Sequence, residues 1–265
     1  MSVVMLRRAT RDLRPTVLWY GLGLFLYAVS IILLFPAIRE DTEMINQYLE
    51  SFPAAVRAAF GISDMGTLAG FVGAEYLNVV WPLIVGVFVI MTGAGLIAME
   101  IDRGTVEFWL SVPETRTRLL VGKLGAFLAG IVALVAITLL GLVIGGALVG
   151  ETIGPAPLLA TGVVLLSFPV AVGGYSVLLS SLSADRGRPA GLAAGITLLC
   201  YILWVVSSLS ARWDWLRYLS IFTPFKPQDA LASGTIPVGV LVLFVIGVVS
   251  ALGALVIFQR RDVIA

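Results

Sequence analysis

Six long apolar runs, each bounded by polar or charged residues, set the pattern of this chain. They cover residues 17–35, 76–98, 124–149, 158–182, 189–209 and 236–258, and none contains Asp, Glu, Lys or Arg. A helix needs about 20 mainly apolar residues to cross roughly 30 Å of hydrocarbon. The runs therefore predict six membrane-spanning helices, the third and fourth long enough to tilt. The expected fold class is an all-α integral membrane protein: a single domain over residues 1–265, built as a six-transmembrane-helix bundle. An outer loop over 36–75 and an inner loop over 99–123 are its longest connections.

The charges between the runs give a direction. With six spans both termini lie on one side, together with Arg7, Arg8, Arg11, Arg14, Arg103, Arg116, Arg118, Lys123, Arg186, Arg188, Arg260 and Arg261. The other side has Arg39, Arg57, Arg212, Arg217 and Lys226. The positive-inside rule then places both termini in the cytoplasm. The first run is longer than a signal-peptide core and its end, Leu34-Phe35-Pro36-Ala37-Ile38, lacks a small-x-small cleavage site, so it reads as a retained anchor.

Polar segments between the runs carry patterns of their own. Within 36–75, the positions Ile45, Leu49, Phe52, Val56 and Phe60 recur at steps of three and four and predict an amphipathic helix interrupted at Pro53. Residues 211–235 concentrate Trp213, Trp215, Tyr218, Phe222 and Phe225 beside Pro224 and Pro227. They read either as a re-entrant or interfacial element or as an aromatic belt at the headgroups. Residues 2–14 combine Val3, Val4, Leu6 and Leu13 with Arg7, Arg8, Arg11 and Arg14. This predicts a helix along the cytoplasmic interface before Pro15 turns the chain into the membrane, or a polybasic contact with anionic lipid, and the two are compatible.

Composition narrows the chemistry. The chain is 59% hydrophobic and 12% charged, with a mean hydropathy of +1.04; soluble domains carry about 25% charged residues. There is no histidine and one cysteine, Cys200, which removes Ser-His-Asp and Cys-His catalysis, the HExxH metal site and an internal disulfide. A net charge of +1 argues against a nucleic-acid binder. A proton-coupled carrier keeps a titratable group within its spans, and an intramembrane hydrolase needs paired carboxylates or a histidine; the six runs contain neither.

The inner loop is the informative one. Its sequence from Gly95 to Gly125 is GLIAMEIDRGTVEFWLSVPETRTRLLVGKLG. Gly104 breaks the chain, Thr105 supplies a capping oxygen, and Val106, Trp109 and Leu110 share a face away from Glu107 before Pro113 ends the element. A short amphipathic helix of this kind suits a groove on a cytoplasmic partner; a solvated loop is the alternative.

The pattern Ala98-x-Glu100, then Gly104-Thr105-Val106-Glu107-Phe108-Trp109-Leu110-Ser111-Val112-Pro113, Thr115-Arg116 and Gly122-Lys123 resembles the signature of type-2 ABC transporter permeases. Pro53 with Phe60-Gly61, Trp81-Pro82 and the Arg260-Arg261-Asp262 tail agree with it, so the resemblance spans essentially the whole chain. Trp109 stands where leucine is usual, and Glu114-Thr115 replaces a small residue and serine. The resemblance implies a non-catalytic exporter subunit in a prokaryotic cell membrane, pairing with a second permease copy, as a homodimer or heterodimer, and with a separate cytoplasmic ATPase that binds ATP and Mg. It implies a coupling helix over 104–110, with Glu100, Gly104, Thr105, Glu107, Trp109, Leu110, Pro113 and Arg116 as the loop's residues. It also implies a connecting helix over 2–14 carrying Arg7, Arg8, Arg11 and Arg14.

This chain has no motor of its own: Thr117 and Leu124 occupy the positions where a phosphate loop ending at Gly122-Lys123 needs glycine and Ser or Thr. No cofactor is expected on it, and lipophilic or amphipathic cargo suits its charge-poor spans. A membrane scaffold without a pathway and a secondary carrier, sodium-coupled through backbone carbonyls, are the other readings. Gly187, Gly191 and Gly195, spaced by four, mark either a dimer seam or packing within the chain, as do Gly141 and Gly145.

Overall fold

The computed structural model describes residues 3–40, 65–102, 116–183, 185 and 187–260, with the backbone alone described at 3–9, 99–102, 116, 117 and 119. Every long element among these is helical, as lipid requires, because a helix satisfies each N–H and C=O within its own segment. In chain order they are α1 (Val3–Glu40), α2 (Leu68–Val72), α3 (Val80–Asp102), α4 (Arg116–Leu148), α5 (Pro155–Leu182), α6 (Gly187–Leu209), α7 (Pro227–Ser233) and α8 (Val240–Arg260). A π-helical turn, Gly73–Leu77, joins α2 to α3, and a 3₁₀ segment, Ala211–Leu219, follows α6. The six candidate spans are α1, α2–α3, α4, α5, α6 and α8.

Three boundaries differ from the pattern, the simplest being the third span, whose helix α4 starts at Arg116 rather than residue 124. The expected break at Pro15 does not occur: α1 runs without interruption through Pro15 and Pro36, so residues 3–14 are helical in continuity with the first span. A proline removes one i→i−4 bond and crowds one carbonyl, which bends a helix as readily as it ends one. The second span starts eight residues early, at Leu68 rather than residue 76, because it is assembled from two helices. Thr67 caps α2 by accepting from Gly70 N–H at 3.1 Å, the π turn closes with Asn78 N–H on Gly73 O at 2.9 Å, and α3 then restarts. Pro82 falls in its first turn, where its missing N–H has no helical acceptor to lose.

Neighbouring helices show how the bundle is wound. Small residues of α4 meet α1 in matching order, Gly130 against Val17, Gly141 against Ala28 and Gly145 against Ile32, so these two spans run parallel. Gly86 and Gly93 of α3 meet Phe168 and Ser176 of α5 in the same way, and Gly174 and Leu178 of α5 meet Gly247 and Gly253 of α8. Spans one and three thus pair, and spans two, four and six form a second set. Between the sets the order reverses: Trp81 of α3 bonds Thr138 of α4 at 3.0 Å, while Lys123 reaches Leu96 O at 3.3 Å. This alternation brings the start of α1, the end of α8 and the loop stems at 102 and 116 to one end of the bundle.

The second and fourth spans are its centre, with 67% of their apolar windows buried, against 28% for the first, 22% for the sixth and 11% for the fifth. Trp81, Tyr76, Phe88 and Phe168 are the largest fully buried side chains. Wherever a buried side chain is polar it is generally tied to a helix backbone: Tyr76 Oη–H donates to Leu24 O at 3.1 Å, and Ser167 and Ser176 donate to carbonyls one turn earlier in α5.

Candidate functional site

Two hollows meet at the half of the bundle away from the stems at 102 and 116. The larger, about 350 Å³, lies between α3, α5 and α6 and is lined by Asn78, Pro82, Gly86, Phe168, Thr197, Leu198 and Phe222 among others. The smaller, about 180 Å³, lies under α7 and shares Asn78 and Phe222 with the first; Trp204, Lys226, Gln228 and Asp229 complete its polar rim. One surface therefore grades from apolar in the span region to polar at the outer end, a gradient that suits an apolar or amphipathic molecule.

A cluster of rings holds this surface open and closes its floor. Phe168 stands 5.1 Å from Phe225 and 5.4 Å from Phe222, and Phe225 stacks on Trp81 at 6.1 Å. Tyr201 and Trp204 of α6 flank Phe222 at 5.3 and 6.3 Å. Phe222 and Phe225 reach the centre because the chain after the 3₁₀ segment folds inward. Ser220 Oγ–H donates to Cys200 O at 2.7 Å, and Phe222 N–H bonds Ser220 Oγ at 3.1 Å. Pro227 then opens α7, which ends at Gly234 with φ of 71°, a left-handed cap that favours glycine.

The outer aromatics expected at 211–235 thus divide between both readings. Phe222 and Phe225 are buried and form a true inserted element, whereas Trp213, Trp215 and Tyr218 are exposed as a belt would be. Beside them the hydroxyl of Tyr218 and then the carboxylate of Asp214 raise the pKa of Arg217 above its ordinary value.

The carboxamide pair at the rim had a weak signal in the sequence. Asn78 is the one Asn or Gln within the six apolar runs, and its Nδ2–H donates to Gln228 Oε1 at 2.7 Å. Gln228 is brought there by Gly73, since any Cβ at that position would collide with the Gln228 side chain. Its partner lies 150 residues away, so periodicity alone does not pair them. Thr197 was likewise hidden among apolar neighbours; it donates to Ala193 O at 2.8 Å and meets the Tyr175 hydroxyl.

The inner loop is described only at its stems. Glu100 lies in the last turn of α3 and Arg116 is the first residue of α4; Gly104, Thr105, Glu107, Trp109, Leu110 and Pro113 lie outside the described residues. Lys123 fastens the two stems through Leu96 O. On α1, the helical backbone puts Arg7, Arg11 and Arg14 on one face at steps of four and three, with Arg8 beside it, and Arg11 and Arg14 are exposed.

The bundle of six candidate spans thus has its two loop stems fastened at one end and an apolar groove toward the other. A family model described as ABC-2 family transporter protein matches residues 22–263. The chain belongs to the ABC-2 transporter family. The resemblance in the inner loop therefore extends over nearly all of the sequence, and this ABC-2 protein is a multi-pass transmembrane permease. A search among curated proteins gave no match.

The glycines of this ABC-2 permease separate into two kinds. Gly141 and Gly145 pack against α1, where a Cβ would come within 3.0 Å of Ala28 and 2.8 Å of Ile32. Among the described residues, Gly191 and Gly195 have nothing within 4 Å of the place a Cβ would take, and Gly187 has the Asp185 carboxylate, at 3.5 Å. Packing within the chain therefore accounts for the α4 pair and not for Gly191 or Gly195.

Proposed function

We propose that this chain is the permease subunit of an ATP-driven exporter in a prokaryotic cell membrane, both termini in the cytoplasm. It works with a second permease copy and a separate cytoplasmic ATPase that binds ATP and Mg. The observation that carries the reading is the family match over residues 22–263 on a chain that has no phosphate-cradling loop of its own. The excess of basic residues on the end that holds the 102–116 connection supports a cytoplasmic position for that end. The loop over 104–110 docks on the ATPase, with Glu100, Glu107, Trp109 and Arg116 at the contact. The uncovered glycines of α6 support a seam with the second copy, since a small-residue face lets helices approach closely. The groove beside Asn78 and Phe222 supports a lipophilic or amphipathic cargo.

Co-purification with the partner ATPase tests this. Wild-type permease should assemble with it and stimulate its ATP hydrolysis, and Glu107→Arg or Trp109→Ala should weaken both. Normal assembly and stimulation by both variants would remove the coupling assignment. A wild-type permease that bound no such ATPase would remove the exporter reading itself.

A further inference from the structure

The inner end of α3 is bonded across to α5 by one side chain. Ser180 Oγ–H donates to Ala94 O at 2.6 Å, and the same oxygen accepts from Ala98 N–H at 3.0 Å and Ile97 N–H at 3.2 Å. In an α-helix Ala98 N–H and Ile97 N–H address the carbonyls of Ala94 and Gly93. The hydroxyl therefore sits within the hydrogen-bond ladder of α3, among four buried residues, Ala94, Ile97, Ala98 and Ser180 itself. It can reach that far because Gly93 brings the helices together: a Cβ there would lie 3.0 Å from Ser176 Cβ and 3.2 Å from Gly173 O. On the other side of α3, Lys123 of α4 holds Leu96 O. Glu100 and the stem of the 102–116 connection follow within one turn.

We propose that Ser180 is a positioning residue, a hydroxyl latch that ties the loop-bearing end of α3 to α5 and exchanges between two bonded states as the permease works. In the second state Ser180 Oγ–H turns back to Ser176 O, the local bond that serine makes inside helices, and α3 completes its own ladder through Ala94 O and Gly93 O. Ala94 O and the Ile97 and Ala98 N–H groups keep a partner in both states, so the low-dielectric interior penalises neither through these groups, and the element is bistable. α5 carries the consequence onward, because Gly174 and Val170 clasp Gly247 of α8 backbone to backbone. A push at the loop would thus move α3 against a rigid α5–α8 pair when the latch is open and carry all three when it is shut. This rests on the exporter reading, because it takes the push from a partner ATPase.

The test uses the reconstituted complex with wild type, Ser180→Ala and Ser180→Thr, reading assembly, the KM for ATP, permease-stimulated kcat, and amide exchange of residues 93–101 with and without ATP and vanadate. Ser180→Ala should assemble and keep the KM for ATP, because the docking loop is untouched. Its stimulated kcat should fall about fivefold, the shift given by one net hydrogen bond. Ser180→Thr, which retains the hydroxyl, should recover most of that loss. Nucleotide should change exchange at 93–101 in wild type and leave it unchanged in Ser180→Ala. A Ser180→Ala complex with wild-type kcat and wild-type nucleotide response would overturn the latch while leaving the exporter reading intact. Failure of the wild-type permease to stimulate the ATPase would instead strike the exporter reading, and the latch with it. If Ser180→Ala does not fold, exchange in the wild-type complex decides alone: no nucleotide response at 93–101 overturns the latch.

Discussion

The clasp between α5 and α8 gives the sharpest stability prediction. A Cβ on Gly247 would fall 2.5 Å from Val170 O, and one on Gly174 would fall 2.5 Å from Gly247 O. Both obstacles are backbone, so no rotamer change relieves them. Restoring ordinary contact requires the helices to part by about 1 Å, and a gap of that size forfeits a quarter to a half of the dispersion energy along the seam. Overpacking of this kind typically costs about 1–3 kcal/mol, and the rigid obstacles put Gly247→Ala at the upper end, about 2–3 kcal/mol. Alanine's better helix propensity returns up to about 1 kcal/mol, so the net loss expected is about 1–2 kcal/mol. Gly195→Ala is the control: it meets nothing within 4 Å and should be neutral or slightly stabilising in the isolated protomer. Reversible unfolding of the purified monomer in detergent, followed by tryptophan fluorescence, measures both. If Gly247→Ala matched Gly195→Ala within about 0.5 kcal/mol, the backbone clasp would be refuted as a determinant of stability.

Two further outcomes follow from the buried outer half. Phe222→Ala removes the ring that Phe168, Tyr201 and Trp204 surround, and should lower stability by about 3–5 kcal/mol in the same unfolding assay. An unchanged midpoint would mean that the inserted segment does not support the bundle. Trp81→Phe keeps the packing on Phe225 but loses the Nε1–H bond to Thr138. The expected loss is about 1–2 kcal/mol, since Thr138 retains its own bond to Leu134 O. Trp81→Phe with Thr138→Val should then be no worse than Trp81→Phe by more than about 1 kcal/mol, because the two share one interaction.

The apolar runs alone determined the number of spans, the all-helical class and the approximate ends of the fourth and fifth helices. This was possible because lipid offers no alternative partner for a backbone group, so a charge-free run of sufficient length has essentially one structure. The inner-loop residues from Ala98 to Lys123 likewise pointed to the transporter family without any contact being known. Local signals do worse where two outcomes differ by little: Pro15 suggests a break, and α1 passes through it. The second span was read as one run, and it is two helices with a π turn between them.

Only the tertiary structure decided which polar and small residues act together. Asn78 and Gln228, Ser180 and Ala94, Trp81 and Thr138 lie 150, 86 and 57 positions apart, and no periodicity joins such pairs. The same GxxxG-like spacing occurs in α4 and α6, yet Gly145 packs on Ile32 while Gly191 and Gly195 meet nothing within 4 Å among the described residues. Spacing fixes which residues share a face of a helix. What that face meets depends on the placement of the other helices, and in a chain whose spans are nearly uniform in hydropathy that placement is set by the fit of small residues and a few hydroxyl bonds.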